Sequence, residues 1–312
     1  MQFLKTNSLI ILILLVSFIV FFFTSIPYFS GDVKNHIVWG KSILNPGPVG
    51  FYGRQFHDYS FPNYPPISML SFAASVWFYD FAKNTIINLD KLPGFPSLLQ
   101  IWITDKNVEV SFLKIPAILP FVLCGFLIFL FGKLFKKSYK QSILFTLFFL
   151  LNPAFIYLAV IWGQNDFTQV LFILGAILFL LSNKYYWSVV FAAFSILSKQ
   201  TVLLIWGLYL VTLYKLYGIP KVALGILTSV ILVWLLYLPF NEGSLTWPFS
   251  FYSETLRSTG LLVSDNAINY WGVLSRFRQV DSQEVFWYLK FEHLGFLFFL
   301  VLFLPILLKY LK

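Results

Sequence analysis

The sequence predicts an all-α integral membrane protein with about eight transmembrane helices and two long external loops that carry helices of their own. Three observations predict it. The chain is 59% hydrophobic and only 11% charged, whereas a soluble domain carries about 25% charged residues. Apolar runs of about 20 residues, the length that crosses a bilayer, recur along it. Lysines collect in the short links between the runs, as they do on the cytoplasmic side of membrane proteins. The net charge of +9 does not indicate nucleic acid, because the basic residues form no stripe with interleaved polar side chains. The 38 Phe residues read as lipid contact and compositional bias rather than a ligand platform. A lone cysteine, Cys124, leaves no intrachain disulfide.

The first element is the run at 8–29. Lys5 followed by Leu9 to Phe23 has the outline of a signal peptide, but the apolar run continues to Phe29 without a small-x-small cleavage site. It therefore reads as an uncleaved first span with its N-terminus inside. Further spans are expected at 112–132, 141–160, 167–182, 186–199, 200–217, 219–240 and 291–310. Lys133, Lys136, Lys137 and Lys140 mark one cytoplasmic link, Lys184 a second, and Lys215 with Lys221 a third. Lys309 and Lys312 place the C-terminus inside as well. The first span exits and the span at 112–132 must re-enter, so an even number of crossings lies between them. The apolar stretch 66–82 has no partner span, because 86–104 contains Asn88, Asp90, Lys91, Pro93, Gly94 and Pro96. It is expected to be an interfacial or re-entrant helix inside one external loop, 30–111. A second external loop covers 241–290, and the whole chain, 1–312, reads as one polytopic membrane domain, in the plasma membrane if prokaryotic.

All 13 carboxylates fall outside the middles of these spans. A proton-driven pump places acids at the midplane; here they gather at one face, which favours chemistry or binding at the external surface. Five clusters stand out. GDVKNHIVWG reads as a short helix in which Asp32, His36, Trp39 and Ile43 share one side, while Val33, Ile37, Gly40 and Leu44 form an apolar stripe to rest on the membrane. Asp32 either caps this helix or does chemistry. RQFHDYSFPNYPP supplies Arg54, His57, Asp58 and Tyr64, polar groups that an ordinary turn would also use. WGQNDF supplies Gln164, Asn165 and Asp166, three adjacent hydrogen-bonding side chains that are costly at membrane depth unless they meet something; Asp166 alone reads equally as a helix cap. SKQT contributes Lys199 and Gln200, with Lys199 also able to snorkel. SDNAINYWG contributes Asn266, Asn269 and Trp271, flanked by Arg257, Arg276 and Arg278, which suit a phosphate or simply face water. His36, His57 and His293 lack zinc-ligand spacing, and no Walker loop, HExxH, GxSxG or CxxC is present.

Taken in order, GDVKNH, YPP, LLNPAFIYLAVIWGQND, SILSKQT and SDNAINYWG resemble the GT-C class of membrane glycosyltransferases, over roughly residues 30–275. The similarity is greatest to mannosyltransferase-like bacterial and archaeal members and to the catalytic subunit of the first GPI mannosyltransferase, which shares the LLNP…ND pattern. The resemblance implies a transmembrane module whose long first external loop bears juxtamembrane helices. It implies transfer of a hexose, mannose foremost, from a polyprenyl-phosphate donor to a lipid or glycan acceptor, with inversion. The family's general base, an acid of the first loop, maps onto Asp32. His36 would support it, Gln164, Asn165 and Asp166 would hold sugar hydroxyls or orient it, and Lys199, Arg257, Arg276 and Arg278 are the candidates for the phosphate. Some members use a divalent cation such as Mg or Mn; Asp32 and Asp166 are the pair that would share one, and none is expected. A partner subunit is compatible with the family.

The competing class is a lipid flippase or transporter without transferase activity. It predicts inverted repeats and broken helices at the midplane, and the sequence shows neither. Transfer of an acyl or phospho group to a lipid is a second enzymatic alternative.

Overall fold

The computed structural model describes residues 7–241, 244, 246–258, 273, 280–286 and 288–311, and only the backbone of 204, 254, 256–258, 286 and 311. It is 78% helical. Two compact units form: Met1–Val202 with Leu224–Glu242, and Leu203–Ala223 with Gly243–Lys312.

In the first unit the helices are α1 (Ser8–Ser25), α2 (Gly31–Leu44), α3 (Pro66–Leu89), α4 (Ser97–Thr104), α5 (Lys106–Leu113), α6 (Ile115–Leu134), α7 (Tyr139–Leu150), α8 (Pro153–Ile156, continuing as a π-helical turn over Tyr157–Trp162), α9 (Asp166–Leu181) and α10 (Tyr185–Ile196). α6 is the axis. Its Ile118, Phe121, Val122 and Cys124 pack with Phe21, Leu150, Ala159, Val160 and Phe167, and the Phe121 and Phe167 rings lie 4.7 Å apart. Helices in lipid gain little from hiding apolar surface from one another, so close approach and polar contacts hold them. Both are present. Thr146 Oγ1 of α7 donates to Gly125 O of α6 at 3.0 Å. Ser188 Oγ of α10 donates to Ala176 O of α9 at 2.8 Å. A Cβ on Gly175 would sit 2.4 Å from the Phe191 ring.

The chain at 203–237 is one helical run, α11 (Leu203–Tyr237), interrupted where Gly218 takes φ 77° and ψ 175° just before Pro220. The second unit has α12 (Trp247–Ser258), a hairpin of β1 (Val285–Phe286) and β2 (Leu289–Lys290), and α13 (Phe291–Leu311). There Gly207 faces the Phe303 ring and Lys215 Nζ lies 4.7 Å from the Tyr310 ring.

Among the described residues four helices are long and apolar enough to cross a membrane: Ser8–Ser25, Ile115–Leu134, Ile205–Phe240 and Phe291–Tyr310. α7 and α8 make a fifth if their 53° bend lies within one span. The protein is thus an all-α, multi-pass membrane protein. The expected continuous span at 141–160 is broken because Pro153 cannot donate and pushes Asn152 out of helical geometry; Asn152 instead caps α8, accepting from Ala154 N at 3.0 Å. α9 and α10 have 16 and 12 residues, short of the roughly 20 a crossing needs.

The apolar stretch expected at 66–82 is the 24-residue α3. Its first turn meets the residues just past α10: Ile67 N donates to Leu197 O at 2.9 Å and Ser68 Oγ to Ser198 O at 2.6 Å. Further along, Tyr79, Ala82 and Ile86 pack with Phe22 and Ile26 from the end of α1, and with Ile103, Phe112 and Ile115. Both parts of α3 touch helix ends on one side of the bundle, so it lies across that end instead of running through the bundle. α2 packs on it through Gly40, where a Cβ would come within 2.8 Å of Phe72 O. Gly40, expected on a membrane-facing stripe, is therefore buried in this contact, and Val33 of the same stripe is buried against Gly163; Leu44 alone of that stripe is exposed.

Candidate active site

The site is built where α2, α3, α8, α9 and the chain after α10 meet. α2 begins with Ser30, not Asp32, as its cap: Ser30 Oγ accepts from Val33 N at 3.2 Å and donates to Trp162 O at 2.6 Å. Asp32 stands in the first helical turn, so the capping role considered for it belongs to Ser30. The Asp32 Oδ2 atom accepts from Trp162 Nε1 at 2.6 Å and from Gln164 Nε2. Among the described residues no donor reaches Oδ1.

Trp162 ends the π-helical turn, and Gly163 follows in left-handed geometry at φ 79°. π-turns cluster at functional sites because the extra residue re-aims a side chain. Here the chain reverses so that Trp162 and Gln164 both reach Asp32. Gln164 Oε1 accepts from Tyr64 Oη at 3.4 Å. The Tyr64 ring lies 5.4 Å beneath Lys199 Nζ, and Lys199 is ion-paired to Asp166. Asp166 is the first residue of α9 and its carboxylate serves this pair, so it is not the helix cap; Asn165 holds that position without a capping bond. Lys199 and Asp166 keep 22% and 28% of their side-chain surface exposed. Burial pulls the Lys199 ammonium down, but Tyr64, Asp166 and Asp32 outweigh it and hold it above its ordinary range. Burial pushes the Tyr64 hydroxyl up.

The neighbouring residues frame this cluster. Asn165 is 3% exposed; its Nδ2 donates to Ser68 Oγ at 2.7 Å and its Oδ1 accepts from Thr168 Oγ1 at 2.5 Å. It ties α9 to α3. Gln200 is buried and donates to Asn63 O at 3.2 Å, fixing the turn that presents Tyr64. His36, expected to support Asp32, instead stacks on Phe72 with ring centroids 4.1 Å apart, and no hydrogen bond joins it to Asp32. Burial and then the Lys199 charge lower its pKa to about 3, so it is a neutral ring in the wall.

Arg54 does not join the cluster. Its guanidinium donates to Ser42 O, Ser42 Oγ, Gly47 O and Val49 O at 2.5–2.8 Å, stapling the turn after α2. His57 and Asp58 are exposed in the following turn without a bond to the cluster. Arg257's side chain and Asn266, Asn269, Trp271, Arg276 and Arg278 lie outside the described residues. Oδ2 of Asp32 takes two N–H donors and the Asp166 carboxylate faces the Lys199 ammonium. Among the described residues no three of His, Cys, Asp and Glu gather at one point.

Two residues were missed by the sequence reading. Trp162 stands in the WGQNDF motif, whose sequence does not mark its indole as a partner of Asp32. Lys114 was hidden inside the run 112–132, yet it is 1% exposed and its ammonium is ringed by backbone carbonyls. A lysine beside the external end of an apolar run was the available signal.

Fold and cluster together define an all-helical, multi-pass membrane protein with an acid, an ammonium and amide groups assembled at one end of its bundle. Compared with known proteins, the chain matches no family model, no curated sequence and no solved structure.

Proposed function

We propose that the protein is a GT-C-type glycosyltransferase with about eight membrane crossings, moving a hexose, mannose foremost, from a polyprenyl-phosphate donor to an acceptor hydroxyl at the external face. The observation that carries this reading is Asp32. It stands in the first turn of the first helix after the first apolar span, does no capping, and is held through one oxygen by Trp162 and Gln164, while no donor among the described residues reaches the other. Such a carboxylate is oriented yet open, as a general base must be.

In the reaction, Oδ1 of Asp32 takes the proton of the acceptor hydroxyl. That oxygen bonds to the anomeric carbon as the bond from that carbon to the phosphate oxygen breaks, and the centre inverts. The electron pair leaves with polyprenyl phosphate, which needs charge stabilisation more than protonation. Lys199 supports this step: it stays cationic, is partly exposed, and stands on the same cluster as Asp32. The donor phosphate would compete with Asp166 for its ammonium.

The test is Asp32→Asn, which keeps the shape and loses the basicity. With polyprenyl-phosphate mannose as donor, turnover should fall at least about a hundredfold, the low end of general-base contributions, with donor binding retained. Near-normal transfer by the purified variant would end the claim that Asp32 is the base.

A further inference from the structure

We infer that Lys114 is a positioning residue for Asp32, holding together the two chain segments that set its contacts; the inference rests on Asp32 being the base. Lys114 sits between α5 and α6 with its side chain 1% exposed. Its ammonium donates to Tyr28 O at 2.6 Å and Ile161 O at 2.9 Å, and lies 3.2 Å from Val160 O and 3.3 Å from Ser25 O. Three protons serve four acceptors, the two longer contacts sharing one. Ser25 ends α1, and Val160 and Ile161 lie in the π-turn, so these carbonyls point the negative ends of their backbone dipoles at the cation, while Tyr28 lies in the link just past α1. Without it these ends would face each other across a buried gap with nothing between them.

Each segment runs within a few residues into an Asp32 contact. Beyond Tyr28, Ser30 caps α2 and Asp32 stands in its first turn. Beyond Ile161, Trp162 gives its carbonyl to Ser30 and its indole N–H to Asp32, and Gln164 donates to the same oxygen. The junction is filled: a Cβ on Gly163 would lie 2.5 Å from Val33 Cγ2 and 3.1 Å from Lys114 Cγ. Lys114 thus fixes both the helix that carries the carboxylate and the turn that carries its two donors. Burial lowers its pKa to about 8, so at neutral pH it remains largely an ammonium.

Lys114→Met removes the charge and Lys114→Gln keeps two donors. Both variants and the wild type, in lipid nanodiscs, are compared by hydrogen–deuterium exchange and by transfer from polyprenyl-phosphate mannose. In Lys114→Met, amides at 30–34 and 158–165 should exchange about tenfold faster while 139–150 and 185–196 keep wild-type rates; Lys114→Gln should fall between. Turnover in Lys114→Met should drop by roughly a hundredfold, as for a misplaced catalytic group, with donor KM unchanged. Unchanged exchange at 158–165, or a uniform rise along the chain in both variants, overturns the inference. A wild-type protein that transfers no sugar from this donor removes the transferase reading, while the exchange pattern still decides whether Lys114 holds the Asp32 contacts.

Discussion

The two ends of the first unit's bundle both carry lysines, and they use them differently. At one end Lys133, Lys136, Lys137, Lys140 and Lys184 are exposed. The Lys133 ammonium reaches Asn7 Oδ1 at 2.9 Å and passes 5.0 Å from the Phe129 ring, while the residue as a whole stays exposed. At the other end Lys114 is enclosed by carbonyls and Lys199 is paired with a carboxylate over an aromatic ring. Exposed cations bias orientation by number. Enclosed ones must each be matched by a partner, because an unmatched buried charge is costly. The second kind of lysine therefore reports specific architecture, whereas the first reports only which way the chain is threaded.

This contrast can be broken by exchanging charge for an isosteric apolar chain at each end. Lys199→Met should weaken binding of polyprenyl-phosphate mannose by about tenfold or more, the loss of one charged hydrogen bond, read by equilibrium binding in nanodiscs. Lys136→Met, at the exposed end, should leave that affinity within experimental error. Equal affinities for the two variants would reduce Lys199 to a structural ion-pair partner.

A smaller effect is expected at Gly163. Its φ is 79°, and a Cβ there would stand 2.5 Å from the Val33 methyl, which leaves no room for a side chain. Val33, being β-branched, cannot rotate away cheaply. Gly163→Ala should lower stability by about 1–3 kcal/mol, seen as a reduced Tm. A Tm equal to wild type would mean that the turn relaxes.

The smallest is a matter of pH. His36 has its pKa lowered from 6.5 to about 3 by burial and then by Lys199. Below pH 6.5 the unfolded chain binds a proton that the folded chain refuses. Stability from this residue is therefore present above pH 6.5, is lost as pH falls toward 3, and loses no more below that. His36→Phe keeps a ring against Phe72 without the titration, so the Tm of the variant should decline less between pH 6.5 and 4. Parallel declines would locate the acid sensitivity elsewhere.

The sequence made the apolar runs legible, and with them the membrane class. It also singled out Asp32, Gln164, Asp166 and Lys199, because polar side chains at the rim of apolar helices are expensive. What it hid is partnership. Asp32 and Gln164 are 132 positions apart, and no local pattern pairs them. Ser30 was readable as a cap by residue type, but the acid after it drew attention. Arg54 resembled a ligand-binding cation, since a staple to four oxygens and a free guanidinium look alike in one dimension. The span expected at 141–160 is broken at Pro153, and the two spans expected at 200–217 and 219–240 are one helical run kinked at Gly218.

The way α3 lies across the bundle has a consequence for biogenesis. Ser68 finds its acceptor at Ser198, 130 residues later. At synthesis rates of roughly 5–20 residues per second, that partner emerges about 7–26 seconds after Ser68 does. Throughout that interval the first loop has left the ribosome without the surface on which its leading turn is finally seated. The site can therefore be assembled only after α10 has been delivered, which makes the translation of the middle of the chain, residues 68–198, and any chaperone that shields an apolar loop meanwhile, part of how this protein becomes competent.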